Sequence, residues 1–233
     1  MAHVHLEDGA FTIEWVAIWT LIAAALIAIA LYRLGGYAIP TRKLAIAAMC
    51  VAVGFAIFQI EIPVFGGVHI NLTPLFGILV GPSLGSLAVL VINIFGSAIG
   101  HGGWGMIGAN SIVNIVEVFL GFIIYRHLRN TWKASRFYAA FSATAIALTV
   151  SAFVALVIIS ISGIQGSAQG EAETFANLLV MAAANIATGM VEAVATGYIV
   201  SFIGRIRPDM LETAEGSRKP ELPDSPAEVN ASV

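Results

Sequence analysis

Apolar residues fall into seven runs along the chain, and most polar residues lie between them. The runs cover about Thr12 to Tyr32, Leu44 to Ile60, Leu72 to Val80, Leu84 to Gly100, Met106 to Tyr125, Phe137 to Ile161 and Ala176 to Ile203. Several approach the ~20 residues that cross a bilayer as a helix. The pattern therefore predicts an all-α polytopic membrane protein of about seven transmembrane helices. The first run ends at Arg33-Leu34-Gly35-Gly36, a glycine pair that stops a helix. The third run is short. At about 1.5 Å per residue it reaches roughly half of a ~30 Å hydrocarbon core, and it stops at Gly81-Pro82. Runs three and four are either separate elements or one long helix kinked at Pro82. After Pro208 the composition shifts to Glu, Asp, Pro and Ser with no apolar period, as in a disordered tail. Three domains follow: an external segment over 1–11, a membrane domain over 12–204 and an acidic tail over 205–233.

Charge decides the third run. Only 11% of the 233 residues are charged and 58% are hydrophobic, against about 25% charged in a soluble domain. Lys and Arg collect in cytoplasmic loops. If runs three and four are separate, as two thin crossings or a re-entrant hairpin, the loops alternate sides. Arg33, Arg42, Lys43, Arg126, Arg129, Lys133, Arg136, Arg205, Arg207, Arg218 and Lys219, all 11 cations of the chain, then share one side. Fusing the runs would strand the Arg126 to Arg136 cluster opposite. The pair is therefore broken, the amino terminus lies outside, and the tail is cytoplasmic in a multi-pass cell-membrane protein. The net charge of −3 gives no reason to expect a nucleic-acid partner. Cys50, alone in an apolar run, forms neither a disulfide nor a cysteine zinc cluster and reads as a buried filler. The first residues lack a cationic region and a cleavage site, so they are not a removable signal peptide.

This topology puts His3, His5, His69 and His101 outside with Glu7, Asp8, Glu171 and Glu173, and leaves only His127 inside. Each histidine alone is an ordinary surface residue. Four on a face without a cation point to a metal, and imidazole suits zinc, copper, nickel and cobalt. If Met1 is trimmed, the amine of Ala2, the backbone nitrogen of His3 and its imidazole Nδ1 close two fused chelate rings. A fourth nitrogen from His69 completes a square-planar set suited to Ni(II) or Cu(II). If Met1 is kept, His3 is third in the chain and the tip fills all four positions itself. His69 follows the pair Gly66-Gly67 and precedes a helix start, where Asn71 is a good N-cap. His101, in Gly100-His101-Gly102-Gly103, reads as an outlying partner of the metal site or an entry residue.

Polar residues inside the membrane runs are ordered too. Asn110, Asn114 and Glu117 share one face of the fifth run, and Asn185, Thr188 and Glu192 form a similar stripe on the seventh. Such residues face a bundle interior, as parts of a pathway or as interhelical hydrogen-bond partners. Ala48, Ala52 and Ala56 form a small-residue row on the second run, and Gly81/Gly85 and Gly96/Gly100 are G-x-x-x-G pairs; both permit close helix contact. The alanine row is either internal packing or a docking face for another subunit. There is no phosphate loop, H-E-x-x-H or serine elbow, so the chain offers no such nucleotide site or protease centre. A metal filled entirely by protein nitrogens has no open position for hydrolysis, which weighs against a membrane metalloenzyme.

Four stretches together carry a resemblance: His5-Leu6-Glu7-Asp8-Gly9, His69 after its glycine pair, Phe76-Gly77-Ile78-Leu79-Val80-Gly81-Pro82-Ser83, and His101-Gly102-Gly103 followed by Gly108-Ala109-Asn110. Over roughly residues 1 to 204 the chain resembles the CbiM/NikM family, the substrate-binding membrane subunits of energy-coupling-factor importers for cobalt and nickel. The resemblance implies seven helices with an external amino terminus. It implies Co(II) or Ni(II) as transported substrate, without a prosthetic group, for cobalamin or nickel-enzyme synthesis. The implied metal ligands are the terminal amine, the nitrogens of an N-terminal histidine and a loop histidine. The loop histidine is His69. The N-terminal one is His5 by motif and His3 by distance from the processed terminus. Implied partners are a transmembrane coupling subunit, cytoplasmic ATPase subunits and often a small two-helix membrane subunit. The Ala48 row is similar to the alanine docking motif of such subunits. The competing reading from the residues is an ion-coupled secondary transporter using Glu117 and Glu192.

Overall fold

The computed structural model describes residues 9–59, 61–62, 68–100, 102–163, 171–212 and 217–218. Helices dominate: α1 (Ile13–Gly35), α2 (Thr41–Phe58), α3 (Thr73–Val80), α4 (Pro82–Ala98), α5 (Ile107–Asn130), α6 (Arg136–Ser162), α7 (Glu171–Ile206) and the single turn α8 (Asp209–Glu212). Four two-residue strands form two antiparallel ladders. β1 (Tyr37–Ala38) pairs with β4 (Ser217–Arg218), and β2 (Glu61–Ile62) pairs with β3 (Val68–His69). Five helices are long and apolar enough to cross a membrane: α1, α2, α5, α6 and the Ala182–Ile206 part of α7. The seven apolar runs fall on α1 to α7 in order, and the first ends at the expected glycines, with Gly36 as C-cap.

The third and fourth runs are separate. Gly81 sits between α3 and α4 at φ 85°, ψ 172°, a conformation open to glycine and costly to other residues. Pro82 then opens α4 at a position where its missing N–H is not needed. Eight residues give α3 a length of about 12 Å, less than half a bilayer core. Every residue of α3 is buried, as expected of a helix that is apolar all round. Gly77 of α3 and Gly121 of α5 let the two backbones touch: a Cβ at Gly121 would lie 2.9 Å from the Cα and carbonyl oxygen of Pro74. The larger apolar core surrounds this contact, with Phe76, Ile78, Val89, Val118 and Val200. A smaller core of Phe11, Ala23, Met106 and Ile158 joins α1, α5 and α6. Outward-facing Leu21, Met49, Phe153 and Phe202 are exposed.

The cations converge on one end. Arg42 at the start of α2 pairs with Asp209, which also lies 3.3 Å from Arg207. The side chain of Arg136, which opens α6, lies against Gly204 near the end of α7. The β1–β4 ladder adds the turn after α1. These contacts reach into the segment after Pro208. Residues 209–212 and 217–218 are structured, because Asp209 finds two guanidinium groups and Ser217–Arg218 finds a free backbone edge. The other tail residues lie outside the described set. Among the G-x-x-x-G glycines, Gly85 meets the Val118 side chain, but a Cβ at Gly100 would meet nothing within 4 Å. Gly100 serves a turn at φ 82° rather than helix packing. Cys50 is buried and free, as read from its run.

Candidate metal centre

Ala2, His3, His5 and His101 lie outside the described residues. His69 is described as backbone. It ends β3 opposite Glu61, with Val68 opposite Ile62, so the chain just beyond α2 holds it by main-chain pairing. Behind His69 the chain turns inward, and Asn71, Leu72 and Thr73 are all buried. The N-cap of α3 is Leu72, in the left-handed region at φ 56°, and no side chain caps it. The reading of Asn71 as N-cap is therefore corrected. Asn71 lies one residue too early, and it contributes its backbone N–H, which donates to Glu192 Oε2 at 3.2 Å.

Two buried carboxylates meet this dip. Glu192 of α7 takes the Asn71 N–H. Glu117 of α5 accepts from the Thr73 hydroxyl on one oxygen and from Ser151 Oγ of α6, at 2.7 Å, on the other. Both glutamates are fully buried. Glu117 sits near the middle of α5, so α3 begins at mid-bundle rather than at its rim.

The polar stripes face inward as expected. Asn114 Nδ2 donates to Asn93 Oδ1 of α4, and Asn93 Nδ2 donates to Ser111 Oγ, each at 3.1 Å. Asn110 is half-buried. Its Nδ2 lies 3.9 Å from where a Cβ on Gly102 would stand, beside the turn that carries His101. Asn185 and Glu192 are buried, and Thr188 is half-buried. Ala48, Ala52 and Ala56 are all exposed on the outer face of α2, so the row is not internal packing within this chain. Among the described residues, no three His, Cys, Asp or Glu side chains assemble as a metal site.

The residue pattern did not single out Thr73, Ser151 and Asn93 as partners. The signal was present for Ser151 and Asn93, which interrupt apolar runs just as Glu117 does. Their pairing needs the helix packing, since Ser151 and Glu117 lie 34 residues apart.

Comparison with known proteins agrees with this fold. Residues 5–210 match the family model CbiM, described as the cobalt uptake substrate-specific transmembrane region. A protein assigned as the fused nickel transport protein NikMN of Archaeoglobus fulgidus is 32% identical over 213 residues, covering 90% of this chain and 68% of that protein. One assigned as a cobalt transport protein CbiM of Methanocorpusculum labreanum is 25% identical, covering 90% of this chain and 92% of its own length. A crystal structure of a transition metal transporter superposes with a TM-score of 0.74 at 20% identity, covering 87% of this chain and 93% of that one. At that identity the likeness establishes a shared fold.

Proposed function

Because this chain belongs to the CbiM family, we propose that it is the substrate-binding membrane component of an importer for cobalt(II), with nickel(II) as the other candidate. The observation that carries the reading is the family match over residues 5–210, which includes both His5 and His69. Relatives named for cobalt transport and for nickel transport support the substrate class. The chain is a transporter subunit rather than an enzyme. In the proposed site, the terminal amine and His3 or His5 supply nitrogens from the tip, and His69 supplies one from a backbone paired to residue 61. Three or four nitrogens favour Ni(II) or Co(II) over hard cations such as Mg(II).

The importer is ATP-driven, with hydrolysis on separate cytoplasmic ATPases and a transmembrane coupling subunit between them, and the metal serves cobalamin synthesis. In this reading the chain has seven membrane elements, counting α3 and α4, with the amino terminus outside and the cationic end inside. The outward Ala48, Ala52 and Ala56 face of α2 is the docking surface for the coupling subunit. The competing secondary transporter would move ions through Glu117 and Glu192. Both carboxylates hold the start of α3, which favours a fixed structural use of them.

Metal titration of the purified full chain tests the reading. The wild type binds Co(II) or Ni(II) tightly, and His69→Ala loses that binding while keeping its helical spectrum. Tight binding retained in a folded His69→Ala protein would remove His69 from the site. Mass spectrometry of the metal-loaded protein fixes the first residue and so decides between His3 and His5.

A further inference from the structure

The segment behind His69 is an unusual piece of backbone. It leaves the β2–β3 ladder, runs through Asn71 to Thr73 inside the bundle, and passes a leucine with positive φ. A non-glycine residue in that region persists only where its surroundings hold it. The start of α3 lacks a cap from its own N-cap residue. The residues leading into it are held instead by acceptors on two other helices. Glu192 accepts the Asn71 N–H, and Glu117 accepts the Thr73 hydroxyl while Ser151 bonds its second oxygen. The three bonds tie residues 71 and 73 to α7, α5 and α6.

We propose that Glu192 and Glu117 are positioning residues of the metal loop, anchoring the start of α3 in trans and so holding the backbone that carries His69. The inference rests on the reading of His69 as a metal ligand. It assigns these intramembrane glutamates to the site without making either one a ligand. Groups that orient metal ligands typically cost about 10–100-fold in affinity when removed, and a loop held at both ends is expected to behave alike. Glu192→Gln keeps a carbonyl acceptor for the Asn71 N–H; Glu192→Ala keeps none. Thr73→Ser keeps the hydroxyl toward Glu117; Thr73→Val removes it at equal size.

The test uses the full chain in lipid nanodiscs. Co(II) and Ni(II) titrations are paired with hydrogen exchange of the metal-free protein over residues 68–76. Glu192→Ala and Thr73→Val should each weaken metal binding about 10-fold or more and speed exchange in that segment alone. Glu192→Gln and Thr73→Ser should stay close to wild type in both readouts. Affinity within twofold of wild type for Glu192→Ala, with unchanged exchange over 68–76, would overturn the proposal. So would equal behaviour of Thr73→Val and Thr73→Ser, including when Glu192→Ala fails to fold. If wild type and His69→Ala bind metal equally, the ligand reading fails; the exchange data, taken without metal, still judge the anchoring.

Discussion

Replacing Gly77 by alanine tests the α3–α5 contact on which the site depends. A Cβ at Gly77 would overlap the carbonyl oxygen of Val118 and lie 2.9 Å from its carbonyl carbon. Ordinary contact begins at 3.4 Å, so the carbon alone asks α3 to retreat by about 0.5 Å, and the nearer oxygen asks for more. The obstacle is backbone inside a helix, so no rotamer change relieves it. Overpacking of this kind costs about 1–3 kcal/mol and occasionally more, and the lack of a soft neighbour puts Gly77→Ala near the top, at about 3 kcal/mol. For a chain of this size that corresponds to a fall of roughly 6–12 °C in Tm. The retreat also lengthens the 3.2 Å bond from Asn71 to Glu192, so metal affinity should fall with stability. The assay is thermal unfolding of detergent-solubilised protein with and without Co(II). Gly35→Ala is the control, since its Cβ would meet nothing within 4 Å and alanine is the better helix former. If Gly77→Ala melts within a degree of Gly35→Ala, the close-packed α3–α5 contact is refuted.

Exchanging Ala52 for Leu on the exposed face of α2 should leave metal binding intact while reducing co-purification with the proposed coupling subunit; unchanged recovery would remove that face from the proposed interface. Trp19→Phe deletes the 2.8 Å bond from Trp19 Nε1 to Ser162 Oγ between α1 and α6. A loss of about 0.5–1.5 kcal/mol is expected, read as a small drop in Tm at unchanged metal affinity. At the cationic end, the bonds from Arg42 and then Arg207 hold the Asp209 carboxyl at about 2, below the usual ~3.9 of an aspartate. A depressed folded pKa means that its stabilisation is present above about pH 4 and is lost as the pH falls through about 2. Hydrogen exchange at Tyr37–Ala38, which form β1 of the β1–β4 ladder, should therefore quicken in that window. Asp209→Asn should show the faster exchange already at neutral pH.

Much of the fold was legible because membranes impose strict rules on sequence. Runs of apolar residues had to become helices, and Gly81-Pro82 had to break one. The α3 and α4 expected from the charge pattern are separate helices, and the Arg42–Asp209–Arg207 cluster brings the start of α2 and the end of α7 together. The candidate site was less legible. Asn71 looked like a helix cap because asparagine favours that position, yet Leu72 took it: the chain bends there to bring the Asn71 N–H onto Glu192. That choice depends on a carboxylate 121 residues away, and no local preference encodes it.

The sequence by itself determined which segments are helical, where they stop, and that Glu117 and Glu192 point inward. These follow from local rules: apolar length, glycine and proline at breaks, and the cost of a charge against lipid. Only the tertiary structure decided what the buried glutamates do. It placed the start of α3 at mid-bundle, between α5, α6 and α7, where carboxyl groups far apart in the chain hold Asn71 and Thr73. A hydrogen bond needs its partners within about 3 Å, and that proximity is a property of the packed helices, not of any stretch of sequence.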